Sequence, residues 1–490
     1  MINRKLLEIL GRLSAEEHRH LRSYLQSPIC YINVRRSMSE MTRLYDYIME
    51  YRADEQSPFL DKKYVFQHFF PDRPFRDKEK GPIDTLTTDL LSLVKLFLVW
   101  LEQRNREFNE FEETLTLLRF YRKFGMEERF QQSARSLIGL LETQPVRDAA
   151  YYQMRLALSE EVYSSNALLA PHEIEMESLN VHYNLNMYFA LRKIDYLCAV
   201  KTQKQLLGGI GAEPDFMEAL NVAVLQFISS ASNQKNIPLQ LFSAVLDLNE
   251  GSVELGKLRH FKSMLQLYEN QLSEESKKTL NTHLRNFYAW LYSRTGASEI
   301  QHELFDVFKE HLKKGYLYFD GHLHVANLRM LTAHALKLGH SDWIREVLET
   351  HPADKLCGTK FTSEALDLNW AEYYFYLKNY VKAEQQLVYR PFEHPVLGIH
   401  AEILLLKIYF ETQSELLDAR LNATRQKVRR SKLSPEIKQR HLNFIRLLTR
   451  LDRLRWQNDL KTAQLFIREI ETTPDVQNRE WLIEMSKRNQ

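Results

Sequence analysis

At 490 residues the chain exceeds one ordinary core, and a hydrophobic fraction of 44% with 11% aromatics excludes wholesale disorder. Fifteen glycines, about 3%, fall well below the usual ~7%, which argues against β-rich and dinucleotide-binding folds that spend glycine on turns and phosphate loops. The net charge of +2 names no partner, and Cys30, Cys198 and Cys357, few and without any spacing pattern, fit a reducing compartment rather than a disulfide framework or a cysteine-rich zinc site.

The opening MINRKLLEILGRLSAEEH has no uninterrupted apolar stretch or small-residue cleavage site, so it does not read as a signal peptide. Ser14-x-x-Glu17 is a capping box that starts a helix, which stops before Ser27-Pro28. Loops rich in Pro, Asp and Lys follow at 52–60 and 70–83. Between 84 and 102, Leu86, Leu90, Leu93, Phe97 and Trp100 form one apolar helical stripe. The most apolar run, Leu90–Leu101, is broken by Ser92 and Lys95 and falls short of the ~18 residues that span a bilayer. Residues 1–105 read as an N-terminal helical unit, and the whole chain as a soluble cytoplasmic protein without membrane contact.

From 106 to 490 the text becomes repetitive. Helix, turn, helix and a proline stop recur around Phe124-Gly125, Leu338-Gly339, Lys378-Asn379 and Gln457-Asn458. "LLETQP" at 140–145 returns as "VLETHP" at 347–352 and "EIETTP" at 469–474, because proline forbids helix continuation and restricts the residue before it. Further stops are read at Pro395 and Pro435, giving a period near 40. Two segments interrupt the pattern. Gly208-Gly209-Ile210-Gly211 lacks the strand and the Lys-Ser/Thr of a phosphate loop and reads as a helix end before Pro214. GYLYFDGHLHVANL at 315–328 reads either as a hairpin around Asp320-Gly321 or as a short loop between helices.

Trp370, Tyr374, Ala383, Leu387 and Pro395 follow the order of a tetratricopeptide repeat, as do Ala463, Ile467 and Pro474. The copy near 340 keeps Leu338-Gly339 and Pro352 but has Trp343 where two helices need a small residue. The segment therefore resembles a tetratricopeptide-like (TPR-like) array, clearest over 325–475 and weaker over 106–235. As a whole the chain also loosely resembles large bacterial helical-repeat proteins, notably from Bacteroidota, a resemblance that implies no activity. The expected fold is all-α: an irregular α-solenoid of TPR-like helix pairs behind the N-terminal helical unit.

Candidate chemistry is sparse. Seven of the seventeen histidines lie between His302 and His351, and only His322-x-His324, with Asp320, has metal-ligand spacing. Surface and packing roles are the plainer reading, and no metal or cofactor is assigned. There is no nucleophile elbow and no cysteine in a reactive setting. The Trp370, Tyr373, Tyr374 and Leu377 group is expected to form core within a repeat rather than a ligand platform.

Charge is the most informative local feature. Between Arg420 and Lys461, 13 Lys or Arg face three acids, so this block carries +10 and the remainder −8. Arg446, Arg450 and Arg453 form a basic stripe one step round from Leu447, Leu451 and Leu454, and Arg425, Arg429 and Lys432 form a second ridge. Such ridges complement an acidic groove or a phosphate backbone, or they are a solvated or internally matched face. The expected function is a non-enzymatic scaffold or adaptor that binds a protein or peptide along the repeat surface. The alternatives are a nucleic-acid-associated or regulatory protein using the basic helices, and an enzyme of unrecognised type.

Overall fold

The computed structural model describes residues 2–31, 36–52, 57–75, 81–105, 109–169, 174–207, 215–230, 233–250, 254–389, 391–433, 435–454 and 460–488. The fold is all-α, with three very short strands among the described residues. The chain divides into two compact units: Met1–Thr143 with Ala157–Ser178, and Gln144–Leu156 with Leu179–Gln490.

The first unit contains α1 (Arg4–Arg12), α2 (Ala15–Leu25), α3 (Met38–Tyr51), α4 (Lys62–Phe69), α5 (Pro82–Asn105), α6 (Asn109–Lys123) and α7 (Glu127–Glu142). The unit boundaries cross α8 (Ala149–Leu169) and α9 (Ile174–Leu207). Ser14 caps α2 as its sequence requires: Glu17 N–H donates to Ser14 Oγ at 3.2 Å and Ser14 N–H to Glu17 Oε2 at 2.7 Å. A core of α1–α5 side chains runs from Ile2 to Phe97 and takes in Leu86, Leu90, Leu93 and Phe97 of the α5 stripe. Trp100 departs from that expectation. It is 43% exposed, tilted against Tyr24 with the Arg104 guanidinium over its ring.

The second unit continues with α10 (Asp215–Ile228), α11 (Ile237–Glu250), α12 (Leu255–Leu267), α13 (Glu274–Thr295) and α14 (Ser298–Lys313). Strands β1 (Tyr318–Phe319) and β2 (His322–His324) lead into α15 (Val325–Lys337) and α16 (Ser341–Thr350). After β3 (Leu356–Cys357) come α17 (Thr362–Tyr376), α18 (Tyr380–Val388), α19 (Pro395–Glu411) and α20 (Leu417–Arg430). The described chain closes with α21 (Pro435–Leu454), α22 (Leu460–Thr472) and α23 (Arg479–Arg488). Helices pack in neighbouring pairs, α13 on α14, α15 on α16, α17 on α18, α19 on α20 and α22 on α23. First helices also touch directly, α15 on α17 and α17 on α19.

One helix ending recurs. In α6, α14, α15, α17 and α19 the N–H two residues beyond the cap returns to the carbonyl of the last turn, as from His340 to Ala335 at 2.8 Å and from Asn379 to Tyr374 at 2.9 Å. This is the Schellman motif, and its pivot needs a left-handed backbone. Gly125, Gly315 and Gly339 supply it in three turns, while Lys378 (φ 56°) and Gln413 (φ 53°) adopt it in the other two. The motif satisfies carbonyls that the helix end leaves open and reverses the chain within a few residues.

The proline reading holds in part. Pro145, Pro352 and Pro474 lie just beyond α7, α16 and α22. Pro395 and Pro435 instead open α19 and α21, where a missing N–H costs nothing and the fixed φ suits the first turn. The turn around Gln457-Asn458 and the Gly208–Gly211 run lie outside the described residues.

The hairpin exists. Tyr318 pairs with Leu323 and Phe319 with His322 across Asp320 (φ 48°) and Gly321 (φ 77°). Residues 356–357 then join β2 in parallel, a strand too short to show alternation in sequence. The aromatic cluster of α17 is only partly core. Tyr373 is buried and Tyr374 packs against the core, but Leu377 is 47% exposed at the helix end. Leu368, Ala371, Ala383 and Leu387 carry the buried contact between α17 and α18. Where a small residue is expected in α16, Trp343 sets its ring edge-on to Phe305 and Ile344 fills the interior.

Candidate functional site

Helices α20 and α21 are amphipathic by the spacing of their apolar residues. Leu417, Leu421 and Val428 bury one face of α20, and Phe444, Leu447, Leu448 and Leu451 one face of α21. The basic residues take the remaining circumference, where two carboxylates from neighbouring helices meet them. Glu469 of α22 receives Arg446 Nη1 at 2.7 Å and also Arg450. Glu402 of α19 forms an ion pair with Arg420 at 2.6 Å and accepts from Lys427 at 3.0 Å. Arg425 makes neutral contacts, 3.0 Å to Asn422 Oδ1 and 3.4 Å to Thr449 Oγ1, so the two ridges adjoin there. Arg429 and Arg453 are exposed and have no carboxylate partner among the described residues. Of the five candidate arginines, two share one internal acid, one bridges the helices, and two face outward. Phe444, which would have served as a stacking residue, is fully buried, and Trp456 lies outside the described residues.

The histidine cluster is dispersed among local tasks. His322 Nδ1 faces the Asp320 carbonyl at 2.7 Å. His324 Nδ1 accepts from Ala326 N–H at 3.2 Å as the cap of α15. Tyr318 OH meets His351 Nε2 at 2.8 Å, and His351 Nδ1 faces the Val347 carbonyl at 2.7 Å. His334 is buried between Tyr292 and Phe308, and burial pushes it down to about 4. His311 is buried and takes a hydrogen bond from Arg285 at 2.8 Å. Among the described residues no group of three His, Cys, Asp or Glu is placed to hold a metal ion.

A second feature went unread in the sequence: a chamber of about 670 Å³ walled by α15, α17, α19 and α23. Helix α19, PVLGIHAEILLLKIYFE, is buried on nearly every side, and Lys407 is its one lysine. The Lys407 ammonium lies 4.4 Å from the Phe375 ring centre and 5.2 Å from that of Trp481. Burial lowers its pKa to about 8, against the opposing pull of Glu372, Glu411 and Glu484. Glu411 is fixed from two sides, by Tyr380 OH at 2.6 Å and Trp481 Nε1 at 2.8 Å, with Arg488 at 3.7 Å. On the far wall Arg329 donates to His400, and burial, followed by the charge of Arg329, keeps that imidazole neutral. A lone lysine inside an apolar helix was the available signal, but its neighbours come from helices 30 to 80 residues away in sequence.

Compared with protein-family models, with curated proteins and with solved structures, the chain finds no match. No helix among the described residues is long and apolar enough to cross a membrane.

Proposed function

We propose that the chain is a TPR-like α-solenoid scaffold of the cytoplasm that binds a protein or peptide partner along its stacked helix pairs. The observation that carries this reading is the recurrence of one Schellman-ended first helix in α15, α17 and α19, together with direct packing between those helices. Serial pairs of this kind bury a continuous core and leave a long side-chain surface, which suits extended partners. The internal acids Glu402 and Glu469 support protein binding over nucleic-acid binding, because they engage four cations of the basic block and offset two of its charges.

The test is affinity purification of the tagged full chain from native lysate, with and without nuclease. A partner that survives nuclease and remains when Arg446, Arg450 and Arg453 become Glu agrees with the scaffold reading. A salt-sensitive complex that nuclease destroys and the triple variant loses would replace it with nucleic-acid association.

A further inference from the structure

We propose that the chamber between α15, α17, α19 and α23 binds a small organic acid, its carboxylate on the Lys407 ammonium and its apolar body against Phe375 and Trp481. The inference stands apart from the scaffold reading and does not depend on it.

Charge bookkeeping inside the chamber points to the ligand's sign. Glu372 faces Arg329 at 3.7 Å, Glu480 meets Lys337 at 2.6 Å, Glu484 meets Arg488 at 2.5 Å, and Glu411 has its two hydrogen-bond donors. Each wall carboxylate is thus engaged, whereas the Lys407 ammonium has no hydrogen bond or ion pair among the described residues. Lys407 is partly exposed at the chamber wall, and the aromatic faces beside it offset only part of what its ammonium loses by leaving bulk water. A carboxylate delivered by a ligand supplies the missing charge-assisted bond.

Size and rigidity point to a small molecule. The volume falls within the range of pockets for compact ligands, and Phe375, Ile403, Leu404, Trp481 and Met485 give an otherwise charged lining one apolar wall. Trp481 is held by Glu411, so the aromatic wall stands at a fixed distance from the amine before anything binds. A body of one ring or a branched chain fills the space beside Phe375 and Trp481 while its carboxylate reaches Nζ.

The experiment is calorimetry on the full chain at neutral pH with 3-phenylpropionate and its uncharged isostere 3-phenylpropionamide. The acid is expected to bind at least about tenfold more tightly than the amide, the usual worth of one charge-assisted bond. Lys407→Met is expected to abolish the difference. A second measurement needs no variant: acetylation of Lys407 by a succinimidyl ester, followed by peptide mass spectrometry, should be slowed by the acid and not by the amide. Equal binding of acid and amide, or no binding and no protection at about 10 mM, overturns the proposal. So does tighter binding of Ala-Ala-Phe through its free carboxylate than of the small acid, which would assign the chamber to peptide ends.

Discussion

Trp481 of α23 donates its indole N–H to the Glu411 carboxylate of α19 at 2.8 Å, across 70 residues of sequence. Tyr380 OH donates to the same carboxylate at 2.6 Å. One partly buried acid therefore joins three helices. Glu411→Ala should cost about 1–3 kcal/mol, because it strands two partly buried donors. Trp481→Phe, which keeps most of the ring contact with Phe410 and removes one bond, should cost about 1 kcal/mol beyond the lost area. Urea denaturation of both variants measures the ratio, and equal losses would mean the carboxylate does not unite the helices.

The Schellman turns offer a backbone test. Lys378 and Gln413 hold the left-handed conformation that Gly339 holds in the neighbouring turn. Lys378→Gly and Gln413→Gly should each stabilise by about 0.5–1 kcal/mol, since relief of the Cβ strain exceeds the added freedom of the unfolded chain. Gly339→Ala should destabilise by about 1 kcal/mol, although open space surrounds its position. Chemical denaturation midpoints at constant slope decide both signs.

Gly358 packs against the His324 ring so closely that an added Cβ would lie 2.3 Å from Nε2, and its φ is +95°. Gly358→Ala should cost about 2–4 kcal/mol. His324→Ala in that background should recover the steric part and leave the backbone part. A double-mutant cycle reads the coupling, and additive losses would show that the ring does not press on the glycine.

Buried neutral histidines set an acid limit. His334 titrates near 4 in the fold, depressed first by burial and then by Lys337, against ~6.5 unfolded. The unfolded chain binds the proton first, so this contribution to stability is whole above about pH 6.5 and is lost as pH falls towards 4. His283 and His441, both at about 4 through burial, act in the same direction. His334→Phe should gain on the order of 2 kcal/mol relative to wild type between pH 7.5 and pH 5. Thermal melts across that range check it, and parallel pH profiles would contradict it.

Glu469 restrains the basic surface. Glu469→Ala frees Arg446 and Arg450 and should delay elution from heparin. Stability should change by less than about 1 kcal/mol, because the arginines are half exposed and such pairs contribute little. Unchanged elution would mean that the arginines are already available to anions.

By itself the sequence determined the all-α class, the capping box at Ser14, the buried Leu447 and Leu451 stripe, and the stops before Pro145, Pro352 and Pro474. These follow from periods of a few residues and from the backbone limits of glycine and proline, which act locally. Tertiary structure decided the rest. It made Pro395 and Pro435 helix starts, set Lys378 and Gln413 in glycine's conformation, and drew Glu402 and Glu469 onto the basic ridges. It also closed a chamber around Lys407. Each of these depends on which helix lies beside which, and side chains tens of residues apart carry no mark of their meeting until packing brings them together.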